Sequence, residues 1–141
     1  MILKLDLVGG IAGDMFIAAV IDAFPDLESQ LKNFLRKTFK KEIPVRIKNQ
    51  KRNGIKGKSF ELNLEDHHTH KSYLEIKNWI TKNISDENIR NIAQEIYKLI
   101  AVAEAKVHGK RINSIKFHEV GEWDSLIDIL SSAFLIEKLN F

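Results

Sequence analysis

The sequence predicts an α+β fold: a small mixed β-sheet with packed helices, in the order βααββααα. Three observations lead there. Two short stretches of alternating apolar and polar residues flank an Asn53-Gly54 turn signal. Longer stretches before and after them carry apolar residues at helical spacing. Between these stretches lies no repeat, no low-complexity tract and no long linker, so one domain over residues 1–141 is expected.

Ile2 to Leu7 alternates weakly and is expected to form a first strand. The glycine loop Gly9-Gly10-Ile11-Ala12-Gly13 follows, and Asp14 is placed to cap a helix running to about Ala23. Pro25-Asp26 restarts a helix with Leu27, Leu31, Phe34 and Leu35 at helical spacing. After Pro44, Val45 and Ile47 alternate with Arg46 and Lys48. Beyond the turn, Phe60, Leu62 and Leu64 alternate with Glu61 and Asn63, completing a hairpin. Ser72 to Asn83 reads as a short helix, and Asp86 caps a longer one. Its apolar stripe is Ile89, Ile92, Ala93, Ile96, Ile100, Ala103 and Val107, and Gly109 ends it. Ser114 to Val120 is expected to be extended. Asp124 or Ser125 then starts a last helix, apolar from Leu126 through Phe134 and Leu135 over most of its surface, so burial on several sides is expected.

Composition excludes several chemistries. The chain has no cysteine, which removes disulfides, thiolate metal sites and cysteine nucleophiles. A metal here must use His, Asp, Glu or carbonyl oxygen. The opening Met1-Ile-Leu-Lys-Leu-Asp6 lacks the pattern of a signal peptide, and no apolar run reaches the roughly 18 residues of a membrane span, so the cytoplasm is expected. The net charge of +3 is uneven: Arg36 to Lys58 holds ten Lys or Arg against one acid, Glu42. Such a stripe suits an acidic partner or a solvated sheet face. Only Phe39 and Phe60 lie in or beside it, so a base-stacking platform is not expected, nor is nucleic acid as a partner.

Four clusters could carry chemistry. His67, His68 and His70 fall within four residues, and neutral imidazoles suit nickel, zinc and copper. The alternative is an exposed polar loop that happens to be rich in His, and spacing does not separate the two. His118-Glu119 precedes Gly121, with Asp124 and Asp128 one helical turn apart. Together they form either a metal or acid/base cluster, or a helix-capping acid plus a satisfied polar contact for Asp128 among Leu126, Ile127, Ile129 and Leu130. Glu104 and His108, also four apart, read as a pair near a helix C-terminus. The glycine loop stands where phosphates bind at helix N-termini, but Asp14 places negative charge there, and no Lys-Ser/Thr follows.

The order of these pieces is more telling than any one of them. It runs from Asp6 and Gly10-Ile11-Ala12-Gly13-Asp14-Met15 to Lys51-Arg52-Asn53-Gly54-Ile55-Lys56-Gly57 and the His-rich stretch. It continues through Glu104-Ala105-Lys106-Val107-His108-Gly109 and Phe117-His118-Glu119-Val120-Gly121 to Asp124-Ser125 and Asp128. That series resembles the nickel-insertion proteins that load nickel into the pincer cofactor of lactate racemase. The resemblance runs along almost the whole chain but covers only the first third or so of such proteins.

The resemblance implies a nickel chelatase of the lyase class, a cyclometallase. It would insert nickel into pyridinium-3,5-bisthiocarboxylic acid mononucleotide, forming one metal–carbon and two metal–sulfur bonds. It implies CTP with manganese or magnesium as cofactors, the CTP site lying outside this chain. His67, His68 and His70 become nickel collectors. His118, Glu119, Asp124, Asp128 and Asp14 become ligands or proton handlers, and Gly10 and Gly13 contact the cofactor precursor. The expected partners are that mononucleotide and the missing C-terminal part or its separate chain, with no membrane. An exposed apolar flank on the last helix would add self-association into a homo-oligomer. The alternative reading is a nickel or divalent-metal chaperone or store with no catalysis of its own.

Overall fold

A computed structural model describes residues 2–7, 10–63 and 71–140. Its elements are α1 (Gly13–Ala23), α2 (Leu27–Phe39), β1 (Val45–Arg52), β2 (Ile55–Leu62), α3 (Tyr73–Asn83), α4 (Glu87–His108) and α5 (Trp123–Leu139). Two 3-10 turns, Ile112–Ser114 and Glu119–Gly121, link α4 to α5. The class is α+β, as the sequence predicts.

The hairpin follows its sequence pattern. Asn53 and Gly54 take φ of 48° and 84°, the positive values that a two-residue turn between twisted strands requires. The antiparallel register pairs Val45 with Leu62 and Ile47 with Phe60. One face of the hairpin base is therefore apolar, and it packs on α1, with Phe60 buried.

Helix ends also follow local chemistry. Ser72 and Glu75 form a reciprocal capping box at α3, with the Ser72 Oγ accepting from the Glu75 N–H at 3.2 Å. Asp86 accepts from the Asn88 and Ile89 N–H groups at α4, and Gly109 ends that helix with φ 61°.

The core centres on α5, which packs against α1, α2 and α4. Leu126, Ile127, Leu130, Ala133, Phe134 and Leu135 are all buried, as its all-round apolar sequence demands. No large apolar residue of α5 is exposed, so the apolar flank expected there is absent. Exposed apolar side chains lie instead on α4, at Leu99, Val102 and Val107, and along the N-terminal segment.

Several expectations need correction. Residues 2–7 are not a strand. No described strand pairs with them, Ile2 is 95% exposed, and a strand without a ladder leaves its amides to water. The sheet is accordingly two-stranded and antiparallel rather than mixed, and the order is ααββααα. Residues 114–120 form a single bridge, Lys116 to Ser72, between the two 3-10 turns instead of an extended run. Asp14 does not cap α1: Ala12 stands at that position, and Asp14 lies in the first turn. Asp124 likewise lies in the first turn of α5, behind Glu122.

Candidate functional site

The N-terminal turns of α1 and α5 meet, and their carboxylates meet with them. A Cβ on Gly13 would lie 3.3 Å from both the Cβ and Oδ2 of Asp128. Glycine at this position lets the α1 backbone close onto that carboxylate. Gly10 serves a different need: its φ of 99° turns the chain into α1, and its N–H donates to the Leu7 carbonyl at 3.0 Å.

Asp14 and Asp124 are exposed and flank the half-buried Asp128. Asp14 accepts from the Met15 N–H and Asp124 from the Ser125 N–H, each at 2.8 Å. Burial raises the Asp128 pKa from 3.8 to about 7, and the negative charges of Asp14 and Asp124 add to the rise. Beneath them, Tyr97 is buried, and its phenol is pushed upward by burial and then by Asp124 and Asp128. Its hydroxyl donates to the Val120 carbonyl at 3.5 Å, which ties the Glu119–Gly121 turn to α4.

This arrangement holds a proton on Asp128 near neutral pH. Asp128 can therefore release or accept one, and the same concentration of negative charge would favour an arriving cation. Among the described residues, no three His, Asp or Glu side chains converge closely enough to cage a metal ion. The three carboxylates thus form a shared field and not a finished coordination sphere.

His118 is exposed, and its carbonyl accepts from the Gly121 N–H at 3.2 Å. The chain beside it is stitched to Lys71 and Tyr73. The Phe117 N–H donates to the Lys71 carbonyl at 3.0 Å, and the Tyr73 N–H donates to the Ile115 carbonyl at 3.0 Å. Gly121 fits under this stitch closely. Its added Cβ would lie 2.9 Å from the Lys71 nitrogen and 3.1 Å from the Lys71 oxygen. Lys71, which follows His70 directly in the sequence, is thereby held beside the His118 segment. His67, His68 and His70 lie outside the described residues, as does the side chain of Glu119.

Around Lys71 is a feature that sequence reasoning missed. Its ammonium sits 4.0 Å from the centroid of the Trp123 ring, and Trp123 contacts Trp79 and Phe39. Nor does the sequence anticipate Tyr97 beside Asp124 and Asp128, or Gly121 against the Lys71 backbone. The need for glycine at 121 comes from a backbone contact with a segment distant in sequence, which has no sequence signal. Tyr97 lies among the α4 apolar positions and looks like ordinary core.

The remaining clusters take their plain readings. His108 Nε2 pairs with Glu104 at 3.2 Å, both side chains about half exposed. In the basic stripe, Lys48 pairs with Glu61 at 2.7 Å and Lys58 donates to Asn49, so part of it is an ordinary polar sheet face. A separate cavity of about 410 Å³ opens beside α2, between Lys37, Asn83 and Phe134, and none of the expected site residues lines it. Among the described residues, no helix is long and apolar enough to cross a membrane.

Comparison with known proteins adds a family. Residues 3–141 match the family model described as nickel insertion protein. A putative nickel insertion protein of Dictyoglomus thermophilum is 36% identical over 138 residues, covering 98% of this chain and 36% of that protein. The pyridinium-3,5-bisthiocarboxylic acid mononucleotide nickel insertion protein of Staphylococcus epidermidis is 34% identical, covering 98% of this chain and 35% of its own length. A putative nickel insertion protein of Methanocaldococcus jannaschii is 38% identical over 137 residues, with 96% and 35% covered. The chain spans about a third of the length of the curated relatives it matches. No solved structure matches.

Proposed function

The chain belongs to the nickel insertion protein family, and from that premise we propose that it handles nickel for insertion into pyridinium-3,5-bisthiocarboxylic acid mononucleotide. The observation that carries this reading is the carboxylate group Asp14, Asp124 and Asp128, held at the meeting of two helix N-termini. Nickel enters as substrate. Neutral imidazoles of His67, His68 and His70 collect it, and His118 with Glu119 receives it beside the anchor at Lys71. The carboxylates then hold charge and protons while the metal meets the precursor.

Forming a metal–carbon bond on the pyridinium ring releases the proton of the ring C–H, whose electron pair becomes the new bond. Asp128 accepts that proton, and its raised affinity suits the task near pH 7. Gly10 and Gly13 bring backbone close to the precursor at the α1 N-terminus. In this reading the full-length activity is a CTP-dependent chelatase of the lyase class, with manganese or magnesium. The CTP site belongs to the part beyond this chain, and the cytoplasm is the place of action. One contiguous buried core supports treating residues 1–141 as a single domain.

A second reading is supported by the lack of a ready three-ligand cage among the described residues. In it the domain delivers or stores nickel through the His-rich stretch and performs no bond formation. Nickel insertion by the full-length relative separates the two. His118→Ala and Asp128→Asn should each cut insertion at least about tenfold if the domain takes part in chemistry. Unchanged insertion in both variants would leave delivery alone.

A further inference from the structure

The half-buried rings of Phe39, Trp79 and Trp123 form a cluster that the carboxylate site does not use. Their centroids lie 5.1 Å (Phe39–Trp79), 5.9 Å (Phe39–Trp123) and 5.7 Å (Trp79–Trp123) apart. Over Trp123 sits the Lys71 ammonium. An indole face is the strongest side-chain π site for a cation, and this one already holds a cation. Lys71 gives up hydration to be there: burial pulls its pKa down, against the opposite pull of Glu75. Its flexible stem lets such an ammonium leave the ring without moving the backbone. In sequence Trp123 adjoins Asp124, and Lys71 follows His70.

We propose that the Trp123 face seats the pyridinium ring of the mononucleotide, with the Lys71 ammonium moving from the indole onto one of the ligand's anionic groups. This rests on the nickel-insertion reading, because a relative's name supplies the ligand class. A pyridinium is flat, aromatic and permanently positive at the ring nitrogen, so stacking and cation–π attraction act together on one indole face. Its thiocarboxylates and phosphate are negative and match the displaced ammonium. A plain anion would need no indole, and a simple ammonium ligand would gain nothing from displacing Lys71.

Both tryptophans of the chain lie in this cluster, so its whole indole emission reports on it. The test is a fluorescence titration with nicotinic acid mononucleotide, an N-ribosylpyridinium bearing a carboxylate and a phosphate, in EDTA without nickel. The expected result is saturable quenching. Affinity should weaken about tenfold in Trp123→Leu and in Lys71→Gln, with Trp123→Phe between wild type and Trp123→Leu. Thermal melts show that the variants are folded, and Trp123→Phe keeps a ring in the cluster should Trp123→Leu lose the fold. Quenching that stays linear with concentration, like that of free N-acetyltryptophanamide, would overturn the proposal. So would saturable quenching unchanged in Trp123→Phe and Lys71→Gln. The titration contains no metal, so failed nickel insertion does not disturb it. Intact insertion with linear quenching would remove this seat and leave the nickel reading standing.

Discussion

Asp128→Asn should make the protein more stable, and by an amount that depends on pH. In the fold, Asp128 binds its proton with a pKa of about 7, against 3.8 ordinarily. Between those values the folded state holds a proton that the unfolded chain has released. Stability therefore falls as pH rises across that window, and the whole penalty is present above about 7. The full shift corresponds to roughly 4 kcal/mol, at about 1.4 kcal/mol for each pH unit. Part of the Asp128 surface meets water, so screening reduces the working figure to roughly 2–3 kcal/mol. Asparagine has nearly the same shape and carries no charge at any pH. The variant should match wild type near pH 4 and exceed it at pH 8 by roughly 2–3 kcal/mol, or about 10 °C in melting temperature. Urea unfolding and thermal melts in EDTA, at several pH values, measure this. A gain that does not change with pH would refute the reasoning. A loss at pH 8 would refute it too, since it would mean that the Asp128 carboxylate is charged and paired.

Other consequences follow from named contacts. Gly121→Ala drives a Cβ to 2.9 Å from the Lys71 backbone, so it should cost about 1–3 kcal/mol by overpacking. Gly57→Ala, which meets nothing within 4 Å, should stay within about 0.5 kcal/mol in the same denaturant series. The Ser131 hydroxyl is fully buried with no hydrogen-bond partner among the described residues. Ser131→Ala should therefore stabilise by about 1 kcal/mol, and a destabilised variant would reveal a partner for that hydroxyl. Ser72→Ala removes one half of the capping box and should cost about 1 kcal/mol. Amide exchange in the first turn of α3 should rise with it.

What the sequence made legible was local. Asn53-Gly54, Ser72, Asp86 and Gly109 act through their own neighbours, and all four stand where turn and cap chemistry puts them. The apolar run of α5 reported its burial correctly because that depends on side-chain type alone. Residues 2–7 misled because weak alternation says nothing about whether a partner strand exists. Asp14 and Asp124 were read as caps because acids favour helix starts, but each helix begins before its acid. The meeting of Gly13 with Asp128, and of Gly121 with Lys71, joins residues far apart in sequence. No spacing rule anticipates such contacts, and for the same reason Tyr97 and the indole cluster went unseen.

The central claim is that this domain collects nickel through imidazoles and carries it beside the carboxylates. Calorimetry of nickel binding to the 141-residue chain at neutral pH tests it most directly, beside His67/His68/His70→Ala and beside Asp14/Asp124/Asp128→Asn. Wild type should bind nickel at neutral pH and lose most of that binding near pH 5, where protonated imidazoles cannot ligate. The His variant should lose the tight site, and the Asp variant should keep it. No binding by wild type, or tight binding that survives in the His variant, would contradict the account.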